Sequence, residues 1–144
     1  MGRARYSVTE EIKETTEAFY RALSNKNLRA IDDIWAHEAY AAVAGRSGQI
    51  RQGWGQVRGY WEQRFQQLDG VKVSARLRNM LCHAVGDVAW VSGTEIRKVT
   101  EGDKAHEENL RMTCVLERKG SRWQIVSYHA SEPAPVASTL QAAS

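Results

Sequence analysis

The stretch LRMTCVLERKGSRWQIVSYHAS, residues 110–131, decides how this chain is read. It lies across two runs rich in β-branched and aromatic residues, about 107–118 and 122–131, which RKGSR breaks. A link that short, with a glycine in it, makes the two runs antiparallel neighbours. Upstream, VGD and EGDK separate two more such runs, about 71–83 and 87–99, so four strands meander through the second half of the chain. The quoted stretch also raises a question about chemistry. A buried strand gains nothing from Tyr128, His129 and Ser131 at its end, whereas a strand whose end faces a cavity tolerates them.

The period changes before residue 70. Ser7 followed by Glu10 predicts a capping box, and Val8, Ile12, Thr15, Phe19, Ala22 and Leu23 recur at helical spacing. Asn25 and Asn27 end that helix. Leu28, Ile31, Ile34 and Trp35 predict a short second one. AYAAVAGRSGQIRQG reads as two short strands around a Gly45–Gly48 turn, and Trp54, Val57, Trp61, Phe65 and Leu68 predict a third helix. Helices followed by a meandering sheet make an α+β domain. Three helices on one face of a long, strongly twisted antiparallel sheet enclose a cone with room for a pocket.

The 144 residues make one domain, expected over 1–131, and both prolines, Pro133 and Pro135, fall in an expected tail at 132–144. The net charge of +3 comes from dispersed lysines and arginines, which argues against a nucleic-acid partner. Cys82 and Cys114 each sit in a strand-like run and read as free thiols of a reducing compartment. The N-terminus lacks the apolar core of a signal peptide, and no apolar stretch is long enough to span a membrane. A cytoplasmic protein is expected.

Three stretches carry a family resemblance: LSNKNLRAIDDIWA, GQIRQGW and the 110–131 segment with its Arg-x-Thr and His-x-Ser ends. Over about 7–131 the chain resembles the SnoaL-like branch of the nuclear transport factor 2-like superfamily, and its last strands are also similar to the association domain of calmodulin-dependent kinase II. The resemblance implies the cone-shaped fold, with its three N-terminal helices packed on a curved antiparallel sheet, and a homodimer formed through the outer face of that sheet. It does not select a chemistry, because the superfamily hosts many.

Alternation puts Trp123, Ile125, Ser127, His129 and Ser131 on one face of the last strand and Gln124, Val126, Tyr128 and Ala130 on the other. Arg111 and Thr113 share a face of the strand before it, and Glu95 shares one with Arg97. Which face lines the pocket is open on alternation alone. The kinase-domain similarity implies that Arg111 points inward, with Arg97 a second candidate. An inward guanidinium stays charged and needs an anion, either Glu95 or a ligand carboxylate. The candidate ligand-binding residues are therefore Arg111, Arg97, Thr113 and Ser131. Trp35, Trp54 and Trp61 are read either as core or as flat pocket walls, with His37 near the mouth. The candidate acid/base groups are Glu95 and His129.

Specific enzyme patterns of the superfamily are incomplete here. Ser24 and Asn25 stand where dehydratase-like members carry an aspartate, and no second acid accompanies Glu95 and Arg97 as in the epoxide hydrolases. The four histidines lack ligand spacing, no glycine-rich turn fits a nucleotide, and neither metal nor cofactor is expected. The leading expectation is a domain that binds a compact anionic or aromatic small molecule. The alternatives are a cofactor-free lyase, isomerase or hydrolase using Glu95 or His129, and a homo-oligomeric association domain.

Overall fold

The computed structural model describes residues 7–133. Helix α1 spans Val8–Asn25 and starts on the expected capping box: the Ser7 hydroxyl accepts from the Glu10 amide at 3.1 Å, and the Glu10 carboxylate accepts from the Ser7 amide at 3.2 Å. Its buried stripe is Ile12, Thr16, Phe19, Tyr20, Ala22 and Leu23, whereas Val8 is exposed. Lys26 ends the helix in the left-handed region at φ 51°, and its Nζ donates to the carbonyls of Leu68 and Val71. Asn27 then caps α2, Leu28–Ile34. Two short strands follow, β1 (Ala42–Ala44) and β2 (Arg51–Gln52), and then α3, Trp54–Gln67.

Four long strands complete the chain: β3 (Lys72–Val85), β4 (Val88–Glu101), β5 (Lys104–Lys119) and β6 (Arg122–Ser131). Two-residue turns beginning with glycine join them; Gly102 and Gly120 both take φ 62°, which L-residues other than glycine rarely adopt. The sheet order is β2-β1-β6-β5-β4-β3. The long strands are antiparallel as expected, but β1 runs parallel to β6, so the sheet is mixed rather than wholly antiparallel. Parallel pairing arises because β1 reaches β6 through the long α3–β5 connection and not through a hairpin. The tail expected at 132–144 lies, from residue 134 onward, outside the described residues.

The core is aromatic at its centre. Phe19, Trp61 and Tyr128 meet pairwise with ring centroids 5.2–5.6 Å apart, in edge-to-face or tilted geometry, and Trp35 packs against Trp61 at 6.4 Å. Leu110, Met112, Cys114 and Leu116 of β5 close the sheet side. Cys82 and Cys114 are free, and burial pushes the Cys114 thiol up to about 12, so it is an inert core group.

One irregularity decides which residues face this core. On β6, Ile125 pairs with Leu116 and Ser127 pairs with its sequence neighbour Val115, so Val126 is an extra, unpaired residue. Such a bulge reverses the alternation beyond it. Trp123 and Ile125 point inward before the bulge, Tyr128 and Ala130 after it, and His129 is exposed. The single face expected for Trp123, Ile125, Ser127, His129 and Ser131 is therefore split in two.

Candidate functional site

The deepest polar group inside the cone is Glu95 of β4, which is 0% exposed. Strand alternation turns it inward with Ala89, Val91 and Arg97. Its Oε1 accepts from the Tyr20 hydroxyl at 2.8 Å and from the Tyr128 hydroxyl at 2.5 Å, and its Oε2 accepts from Arg97 Nε at 2.6 Å. Helix α1, β4 and β6 each supply one member or more of this network. Burial, reinforced by the neighbouring carboxylate, raises both phenols well above the usual tyrosine range, so they remain donors. Burial opposes the charge of Arg97, and Glu95 more than offsets it, so the guanidinium is held charged. The crevice between Leu23, Trp61, Phe65, Val73 and Arg97 has a volume of about 20 Å³, space for little more than a water molecule.

Open space begins on the other side of Arg97. A cavity of about 220 Å³ lies between the β1–β2 turn and α3, lined among others by Arg46, Arg51, Tyr60, Gln63, Arg64 and Arg97. Tyr60, Gln63, Arg64 and Gln67 all reach it because positions i, i+3, i+4 and i+7 share one helix face. Arg46 pairs with Glu108 at 2.6 Å and with Glu132 at 3.3 Å. Burial opposes ionisation of Glu108, but the Arg46 guanidinium overrides it and holds the carboxyl below its usual range. Arg51 donates to the Gln63 side-chain oxygen at 3.0 Å and lies over the Tyr60 ring at 5.5 Å. The Tyr60 hydroxyl occupies the place of a side chain at residue 45: a Cβ there would sit 2.0 Å from its oxygen, so a larger residue at 45 would displace the Tyr60 ring. Arg64, half-buried, has no hydrogen-bond or ion-pair partner among the described residues; burial first and the Arg97 charge second lower its pKa.

The residues expected at a site scatter around this centre. Arg97 joins Glu95 and also lines the cavity. Arg111 does not point inward: Leu110 and Met112 take the inward positions, and Arg111 is exposed on the outer face, donating to the Ser131 hydroxyl at 3.2 Å. Thr113 and His129 are register partners on that same outer face, both exposed. Glu95 and His129 are thus on opposite faces of the sheet and form no acid/base pair. Trp35 and Trp61 are core. Trp54 is half-buried and stacks on exposed His37 at 4.2 Å, beside α2, and neither lines the arginine cavity. Sequence reading missed Arg46, Arg51, Tyr60 and Arg64. The signal was present in the helical spacing of Tyr60 and Arg64, but Arg46 and Arg51 are joined to them only by the way β1 and β2 fold over α3. Among the described residues, no group of three or more His, Cys, Asp or Glu side chains could hold a metal ion. Nor is any helix there long and apolar enough to cross a membrane.

Known proteins agree with this architecture. A curated relative, the F-box protein SKIP8 of Arabidopsis thaliana, is 23% identical over 126 residues; these are 88% of this chain but 51% of that protein, so the chain spans about half the relative's length. Among solved structures, an NTF2-like family protein from Streptomyces avermitilis, provisionally named a dehydratase, superposes with a TM-score of 0.78 at 18% identity, covering 88% of this chain and 96% of the other. A protein from Xanthomonas campestris, provisionally named a calcium/calmodulin-dependent protein kinase II association domain, gives 0.76 at 19% identity, with 90% and 91% covered. An NTF2-like protein of unknown function from Pseudomonas putida gives 0.74 at 21%, with 88% and 89% covered. At these identities the structures establish the fold and not a chemistry. The family model described as SnoaL-like domain matches residues 12–135, which take in every helix and strand that builds the cone but the first turn of α1, and the chain belongs to the SnoaL-like domain family.

Proposed function

We propose that this chain is a small-molecule-binding domain whose ligand is a compact anion held at the mouth of the cone. One observation carries the reading: Arg64 is a half-buried guanidinium without a partner among the described residues, beside a second guanidinium, in a cavity open to solvent. A cation withdrawn from water and left unmatched costs free energy, and an anion arriving from solution recovers it. The cavity is smaller than the roughly 300 Å³ at which pockets for drug-sized ligands begin, which favours a compact molecule. Acid/base catalysis through Glu95 and His129 is not favoured, because the sheet separates them and Glu95 already accepts three hydrogen bonds.

Thermal-shift titration with small carboxylic acids tests the reading on wild type, Arg64→Gln and Arg111→Gln. An acid at 100 times its Kd stabilises the native state by about 2.7 kcal/mol. For a domain of this size that is a rise of several degrees in Tm. The shift is expected in wild type and Arg111→Gln and is lost in Arg64→Gln. No shift with any acid overturns the anion site.

A second reading, homodimerisation through the outer sheet face, is supported by apolar side chains at the β3–β4 hairpin. Leu81 is 70% exposed, Val85 62% and Trp90 44%. That concentration of large apolar groups in water fits a surface covered by a second copy.

A further inference from the structure

We infer that the ligand of the arginine cavity is a dianion, an inference that rests on the anion-binding reading above and specifies its charge. The cavity wall carries four guanidinium groups, Arg46, Arg51, Arg64 and Arg97, and they are not equivalent. Arg97 is matched by Glu95, at 2.6 Å in the dry interior. Arg46 is matched by Glu108 at 2.6 Å, with Glu132 as a second carboxylate. Among the described residues Arg51 has only neutral partners, the Gln63 oxygen and the Tyr60 ring. Arg64 has no partner among the described residues. Among the described residues neither Arg51 nor Arg64, both facing this small cavity, is ion-paired with a carboxylate, and Glu108 acts on Arg64 only through its field.

The two charges are placed for a shared ligand. Arg51 is tied to Gln63, the residue preceding Arg64 on α3, and lies over Tyr60, one turn before Arg64, so both guanidinium groups are anchored around the same helical turn. A monoanion leaves one of them unmatched in a partly desolvated site, whereas a dianion satisfies both. Guanidinium forks bind carboxylate and phosphate oxygens equally well in geometry, so a small dicarboxylate and a phosphate monoester share the required chemistry.

Calorimetric titration at constant ionic strength separates the possibilities, with benzoate as the monoanion, phthalate as the dicarboxylate and phenyl phosphate as the phosphate monoester. At least one dianion is expected to bind ten times more tightly than benzoate, a difference of about 1.4 kcal/mol. In Arg51→Gln and in Arg64→Gln that preference shrinks to less than threefold, while Arg111→Gln retains it. Preference for phthalate or for phenyl phosphate identifies the source of the charge, and either supports a dianion. Benzoate binding as tightly as both dianions overturns the dianion while leaving an anion site in place. Absence of binding by all three overturns the anion site itself. Circular dichroism of the variants shows whether a lost preference reflects a lost fold.

Discussion

At the scale of single residues, Glu95 shows how a charge is kept in an apolar core. Its two oxygens accept from Tyr20, Tyr128 and Arg97, and the Arg97 side chain is only 8% exposed. Removing one partner of such a pair leaves the other charge buried and unmatched, at a cost of about 3–5 kcal/mol. Glu95→Gln is therefore expected to lower the unfolding free energy by that amount in urea. The double variant Glu95→Gln/Arg97→Met is expected to be more stable than Glu95→Gln alone, because the orphaned guanidinium is gone. An unfolding free energy of Glu95→Gln within about 0.5 kcal/mol of wild type, the range of ordinary surface changes, would show that the pair is not buried as described. Tyr128 also answers why a buried strand ends in polar side chains. Its hydroxyl serves the interior carboxylate, whereas His129 and Ser131 belong to the outside.

At the scale of elements, the unpaired Val126 is the feature with the largest consequence. One extra residue in β6 moves Tyr128 from the face of Gln124 to the face of Ile125. Substitutions on either side of the bulge report this phase. Tyr128→Ala removes a ring packed against Phe19 and Trp61 and is expected to cost about 3–5 kcal/mol, like other large-to-small aromatic changes in a core. His129→Ala is expected to stay within about 0.5 kcal/mol. Equal costs in denaturant melts would place both side chains in the core and remove the bulge. The α3 helix makes a related point from its two faces. Val57 and Trp61 feed the core while Tyr60 and Arg64 feed the cavity, so one helix joins the packed interior to the solvent-facing site.

At the scale of the whole molecule, the proposed anion site and the proposed dimer face lie apart, the one lined by Arg46, Arg51, Arg64 and Arg97 and the other carrying Leu81, Val85 and Trp90. If the outer face is covered by a second copy, a charge within the exposed apolar cluster of the β3–β4 hairpin must break the pair. Trp90→Glu is expected to halve the mass measured by light scattering at micromolar concentration without loss of the circular dichroism spectrum. A wild-type mass equal to one chain would remove the dimer. Trp90 is not among the residues that line the arginine cavity, so anion binding by Trp90→Glu is expected to match wild type.

Local physics carried most of the fold into the sequence. Capping at Ser7, the helical stripes, the glycine turns and the four strands each depend on residues within a few positions of one another, and each appears where its pattern stands. The family resemblance of the 110–131 segment likewise required only contiguous residues. What tertiary structure alone decided was the direction of side chains and the company they keep. A bulge breaks the two-residue period without any mark in a single sequence, so the inward placement of Tyr128 and the outward placement of His129 could not be read from alternation. The outward turn of Arg111 followed from which face of β5 the core claimed, and alternation fixes two faces without naming the inner one. The arginine cavity gathers side chains from the β1–β2 turn, β2, α3 and β4, from Arg46 to Arg97, and only the packing of those elements brings their charges together.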